Sequence, residues 1–232
     1  MRDDVVARAQ LEVEARVLGA LAGRGAPRLI DMGEDGDGPW LVMEHVAMPT
    51  LAAWTAGAGE LAVAAGALLG ALADVHEAAD ERGPLGVVHG DVSPENVLVA
   101  RDGSAARFVD FGLASFRDAP ASSGGAFRGS VRYAAPEVAR GEAVTTACDL
   151  FSLGLSLLHA ASGETPRPGE QLAALLLQAG DAPVLDYATR ASRGLHASLR
   201  DALLALVAFD PKARPRSARE AQLVVQGAHG SR

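Results

Sequence analysis

The residues best suited to chemistry stand near the middle of the chain, in His89-Gly90-Asp91-Val92-Ser93-Pro94-Glu95-Asn96. Asp91 and Asn96 are five positions apart, and fourteen residues after the asparagine comes a second aspartate, in Asp110-Phe111-Gly112. A carboxylate such as Asp91 can orient a hydroxyl group and take its proton. Asn96 and Asp110 are oxygen donors on separate segments, and Mg²⁺ is a hard cation that prefers oxygen and is usually shared with phosphate groups. The three side chains together would suit phosphoryl transfer. The plainer reading of the same residues is conformational: Asp and Asn beside Pro94 form turns, and Asp-Phe-Gly is a common turn tripeptide.

Several elements must hold these residues in place. Residues 3–22 set Val6, Leu11, Val17, Leu18 and Leu21 among charges at helical spacing, and Gly23, Gly25 and Pro27 end that helix. The apolar runs Arg28–Met32 and Trp40–Val46, on either side of the turn-rich Gly33–Pro39, predict an antiparallel hairpin. An Ala- and Leu-rich helix is expected over 60–79, and a second hairpin over 97–100 and 106–109 around Arg101-Asp102-Gly103. Asp91 and Asn96 then lie on the loop before a strand, and Asp110 at the end of the next. Residues 115–130 read as a Gly/Ser/Ala/Pro loop, followed by helices near 137–140, 147–162, 170–180, 196–208 and 217–226. The order is α+β, with a small strand-bearing part and a larger helical part.

The composition narrows the range of partners. The 232 residues carry a net charge of -8, which disfavours nucleic acid and anionic membrane as partners, since both reward a basic face. The single cysteine, Cys148, can form no internal disulfide, which fits a reducing, cytoplasmic setting. The most apolar windows, 61–73 and 150–161, are short for a bilayer span, so no membrane role is expected. The only lysine is Lys212, so lysine-dependent chemistry has no other place in the chain.

Downstream residues make the central pattern specific. Gly129-Ser130-Val131-Arg132-Tyr133-Ala134-Ala135-Pro136-Glu137 is followed by Asp149-Leu150-Phe151-Ser152-Leu153-Gly154, and later by Asp210-Pro211 and Arg214-Pro215. In this order the five motifs resemble those of protein kinases: catalytic loop, DFG, the end of the activation segment with APE, the central helix, and the arginine that pairs with the APE glutamate. The resemblance implies a two-lobed α+β fold, with an incomplete N-lobe over 1–46 and a mostly helical C-lobe over 47–232. It implies ATP and Mg²⁺ as cofactors and a protein substrate or signalling partner. Asp91 would be the catalytic base, with Asn96 beside it, and Asn96 and Asp110 would hold the metal. Glu14, on a helix resembling αC, would be the lysine-pairing glutamate. Met43 would be the gatekeeper, the Glu44 carbonyl and Val46 amide would face adenine, and Leu98 would pack beneath it. Leu18, Leu29, His89 and Phe111 would form a spine anchored by Asp149, and Glu137 with Arg214 a buried structural ion pair.

The pattern also departs from the family. Gly90 stands where the catalytic loop usually has an arginine, so an activation-segment phosphate on Ser115, Ser122 or Ser123 would lack its usual cation. Ser93 stands in place of a catalytic lysine, which removes a charge from the transferring phosphate. No glycine-rich loop and no lysine precede Glu14, which implies a truncated or decayed enzyme with an exposed apolar sheet edge. A pseudokinase acting as a binding module is the competing reading. A small-molecule phosphotransferase of the aminoglycoside or choline kinase type is a third, suggested by His89-Gly90-Asp91.

Overall fold

The computed structural model describes residues 2–36, 38–55, 58–119, 129–181 and 184–229. Helix α1 (Arg2–Leu21) comes first and sends Val17, Leu18 and Leu21 into the core. The next two strands, β1 (Leu29–Asp35) and β2 (Gly38–Met43), pair antiparallel, and Arg8 of α1 binds Glu34 of β1 at 2.5 Å. The hairpin is therefore attached to the helix, yet Ile30, Met32 and Val42 remain exposed at 59%, 48% and 44%.

Helix α2 (Ala58–His76) is apolar enough over Gly59–His76 to satisfy the length and composition of a membrane span. That window is 18 residues, longer than the 61–73 segment that stands out in the sequence. Its Leu61, Leu68, Leu69, Leu72 and Val75 lie buried in the core against α4 and α8, so its apolarity is accounted for by packing within the protein.

Two further small sheets follow. Strands β3 (Ala79–Asp80) and β4 (Gly83–Pro84) form a two-residue ladder that the sequence pattern does not signal. Strands β5 (Val97–Val99) and β6 (Ala106–Phe108) form the predicted second hairpin, each shorter by one residue at its C-terminal end.

The remainder is helical: α3 (Pro136–Ala139), α4 (Thr146–Ser162), α5 (Leu172–Asp181), α6 (Leu185–Ala191), α7 (Ala197–Leu206) and α8 (Ala218–His229). Helix α4 is buried at every position from Cys148 to Leu158, and α2, α6 and α7 pack against it. It begins where the Thr145 amide donates to Cys148 Sγ at 3.4 Å and ends at Gly163, whose φ of 71° is the left-handed conformation glycine adopts without strain. Helix α8 starts with reciprocal caps: Ser217 Oγ accepts the Glu220 amide at 3.1 Å, and the Glu220 carboxylate accepts the Arg216 amide at 2.8 Å. Helix α6 was not expected from the sequence.

Candidate active site

The Gly90–Asn96 loop has little regular structure of its own, and its shape comes from what its backbone meets. The carboxylate of Asp149, on α4, accepts the amide of His89 at 2.8 Å and that of Gly90 at 3.0 Å. His76, at the end of α2, binds the same carboxylate through Nε2 at 2.9 Å. Burial alone would raise the pKa of Asp149, but the His76 contact, His89 and the Gly90 amide hold it below the usual carboxylate range. Gly90 has φ +80°, and a Cβ there would lie 2.9 Å from the Leu113 carbonyl oxygen. A side chain at this position is therefore strained by its backbone and crowded by its neighbour.

His89 is fully buried. Its Nε2 donates to the Val109 carbonyl at 3.1 Å and its Nδ1 accepts the Asp91 amide at 3.3 Å, the pattern of a neutral ring. Burial pushes its pKa down despite the opposing pull of Asp149, Asp91 and Asp110. The ring packs 4.7 Å from that of Phe111. Leu18, Phe111 and Asp149 are buried with it, and Leu29 packs at the core's margin.

Asp91 is the polar centre. Its Oδ2 accepts the Asn96 side-chain amide at 3.1 Å, and the same amide reaches the Asp91 carbonyl at 3.0 Å. Its Oδ1 accepts the Ser130 backbone amide at 2.7 Å, which brings the end of the 115–130 segment onto the loop. The Val109 amide donates to the Asn96 carbonyl at 3.0 Å, which places Asp110 beside the pair. Asp110 is exposed and has φ +63°, a conformation that costs a non-glycine residue free energy and often marks a functional site. Asp91, Asn96 and Asp110 are thus gathered at one place. Ser93 joins this group only through its backbone, whose carbonyl accepts the Asn96 amide at 3.1 Å; the residue is 1% exposed and its hydroxyl has no partner among the described residues.

Glu14 reaches the same region from α1 and accepts the Phe111 amide at 3.4 Å. Burial, with the nearby Asp110 charge, raises its pKa despite that bond. The Glu44 amide donates to the Arg28 carbonyl at 2.9 Å, and the Val46 carbonyl accepts from Met48 at 2.8 Å. The Glu44 carbonyl and Val46 amide, the two groups expected to face adenine, have no such partner among the described residues. Met43, half-buried, ends β2. Leu98 is half-buried on β5, bridged to Thr50 of the segment that follows Val46.

A cavity of about 20 Å³ lies between Gly90–Val92, Ser130, Ala134–Ala135 and α4. It has room for one water, and none of Met43, Glu44, Val46 and Leu98 lines it. Glu137 and Arg214 form the expected buried pair, bidentate at 2.6 and 2.9 Å. Three contributors were not read from the sequence: His76, the Ser130 amide and Arg167. The first two act through tertiary contacts that no local motif signals.

Comparison with known proteins identifies the family. The chain matches the family model of the protein kinase domain over residues 2–223. It is 32% identical over 230 residues to the serine/threonine-protein kinase pkn2 of Myxococcus xanthus, covering 94% of this chain and 27% of that protein. It is 32% identical over 173 residues to Pkn1 of the same organism, covering 72% of this chain and 24% of the relative. It is 33% identical over 181 residues to PknL of Mycobacterium tuberculosis, covering 75% and 43%. The chain therefore spans between about a quarter and two fifths of the length of these relatives. The motifs, their placement around Asp91 and these matches lead to one assignment: the chain belongs to the protein kinase family, among its serine/threonine kinases.

Proposed function

We propose that this chain transfers the γ-phosphoryl group of ATP, with Mg²⁺, to Ser or Thr hydroxyls of a protein. The observation that carries the reading is the presentation of Asp91, held by Asn96 on one oxygen and by the Ser130 amide on the other, beside Asp110. Bound ATP supplies the phosphoryl group, and the family generally uses Mg²⁺ with it. The donor set suits that ion, since Asn96 and Asp110 would offer it oxygens. An ion bound here would share its remaining positions with phosphate and water, as Mg²⁺ commonly does.

In this reading Asp91 orients the acceptor hydroxyl and takes its proton, and Ser130 and Asn96 fix the angle of the carboxylate. Residues 1–46 would form the nucleotide side, with Met43, Glu44 and Val46 along the hinge and Leu98 beneath adenine. Residues 47–232 would form the acceptor side. Such chemistry fits a cytoplasmic setting, where ATP is plentiful.

Transfer by these residues alone should be slow. Ser93, at a position where the family's catalytic loop carries a lysine, brings no charge to the transferring phosphate. One observation favours a second reading, a pseudokinase that binds without transferring phosphate: Glu14 meets the Phe111 amide rather than a cation, and its pKa is raised. Incubation with labelled ATP, Mg²⁺ and a Ser/Thr peptide mixture separates the two. Transfer that disappears in Asp91→Asn supports the enzyme. ATP binding without transfer to any acceptor supports the binding module.

A further inference from the structure

Arg167, on the loop between α4 and α5, is 3% exposed and pairs with no carboxylate among the described residues. A buried, unpaired charge is expensive unless other groups solvate it. Here the compensation comes from main chain: Nη1 alone donates to the carbonyls of Val131, Arg132 and Ala134, at 3.2, 2.8 and 3.0 Å. The Phe151 ring lies 5.9 Å beneath the guanidinium. Nε and Nη2 have no hydrogen-bond partner among the described residues. The segment returns the contact, since the Arg132 guanidinium donates to the carbonyls of Arg167 and Gly169.

The three carbonyls belong to the turn that carries Ser130. The Tyr133 amide donates to the Ser130 carbonyl at 2.9 Å and the Ala134 amide to that of Val131 at 3.2 Å. The Ser130 amide in turn holds Asp91 at 2.7 Å. A continuous path therefore runs from Arg167 through the 131–134 turn to the carboxylate, and the turn is the surface next to which an acceptor residue must lie to reach Asp91.

We propose that Arg167 is a positioning residue for the acceptor site, a latch that sets the Val131–Ala134 turn and through it the Ser130 contact to Asp91. The acceptor role rests on the kinase reading above. The latch itself does not need that reading. Three acceptors converge on one nitrogen, so a lysine ammonium with three hydrogens can satisfy them, whereas a methionine of similar length cannot.

The test compares Arg167→Lys, Arg167→Met and Arg132→Gln. Hydrogen exchange at the amides of residues 130–134 reads the latch without any nucleotide. Exchange there should speed up about tenfold or more in Arg167→Met, with α7 and α8 unchanged, and stay within about threefold of the parent in Arg167→Lys. Should Arg167→Met not fold, Arg132→Gln decides, because it removes the reciprocal bonds and leaves the buried cation in place. It should speed the same amides several-fold. In the phosphotransfer assay the disrupting variant should lower kcat/KM for the acceptor peptide about tenfold, through kcat as well as KM because the Ser130 contact also fixes Asp91, with the ATP KM within about threefold. A parent that transfers nothing, with the exchange pattern as expected, removes the kinase reading and keeps the latch. Unchanged exchange in the disrupting variants, or a lysine variant as loose as the methionine one, overturns the latch. A kcat/KM for the acceptor peptide within about threefold of the parent, with exchange at residues 130–134 raised, overturns the acceptor role.

Discussion

Removing one member of the Glu137–Arg214 pair should cost much of the fold's stability, and removing both should cost less than the two losses added. The pair is bidentate at 2.6 and 2.9 Å, with side chains 4% and 0% exposed. Arg214 also donates to the carbonyls of Ala147, Ala208 and Phe209 and lies 4.7 Å over the Phe151 ring. Glu137→Gln leaves the guanidinium with those carbonyls, so its cost should fall at the low end for a broken buried pair, about 3 kcal/mol. Arg214→Met leaves a buried carboxylate with no cation, held by its own backbone amide and by the Cys148 thiol at 3.3 Å, so its cost should approach about 5 kcal/mol. For a chain of this size these losses lower Tm by roughly 6–20 °C. The double change Glu137→Leu/Arg214→Met, which leaves no charge behind, should be less damaging than Arg214→Met alone. Burial pushes the pKa of Glu137 up, but the Arg214 hydrogen bonds outweigh it and hold the group below its ordinary 4.5. A depressed carboxylate contributes stability above its unfolded pKa and loses it as pH falls through the folded one. The gap between parent and Glu137→Gln should therefore narrow in acid. Urea titrations at neutral and acid pH measure all of this. Single changes costing less than about 1 kcal/mol, or a double change equal to the sum, would refute the reasoning.

Further outcomes follow from the site. Asp110→Asn should abolish the Mg²⁺-dependent part of ATP binding by calorimetry, and equal affinity with and without Mg²⁺ in the parent would count against the metal assignment. Glu14, with its raised pKa, contributes most below its unfolded pKa and loses that contribution as pH rises; Glu14→Gln should therefore raise Tm slightly near neutral pH, by less than about 1 kcal/mol in stability, and a lowered Tm would contradict it. Replacing Ser115, Ser122 and Ser123 together with Ala should leave any phosphotransfer within about threefold, because Gly90 offers no cation to a phosphate. Ser122 and Ser123 lie outside the described residues; Ser115 is bridged to Val88. A hundredfold loss would sink that expectation.

Much of the site was legible because its residues sit in short motifs. Asp91, Asn96 and Asp110 are fixed by the turn before β5 and the end of β6, and apolar runs mark both strands. The long helices were legible from their period and their Gly/Pro ends. The two-residue ladder of β3 and β4 was not, since it is held by Arg117, which donates to the Pro84 carbonyl at 2.8 Å and to Asp80 at 2.6 Å from more than thirty residues away. Helix α6 has no side-chain cap to announce it. Arg167 stands in Pro166-Arg167-Pro168-Gly169, which reads as an exposed turn. Its burial depends on carbonyls 33 to 36 residues earlier, and no local pattern carries that information.

Asp149 also bears on the order of assembly. The amides that shape the Gly90 loop are satisfied by a carboxylate 59 and 60 residues further along the chain, and His76 meets it across 73. Contacts this distant in sequence form slowly, because the intervening chain must first give up its freedom. During synthesis the loop bearing Asp91 therefore has no defined shape until α4 has emerged and docked. Nucleotide, if it waits for that loop, should bind late in folding and leave the early collapse rate unchanged.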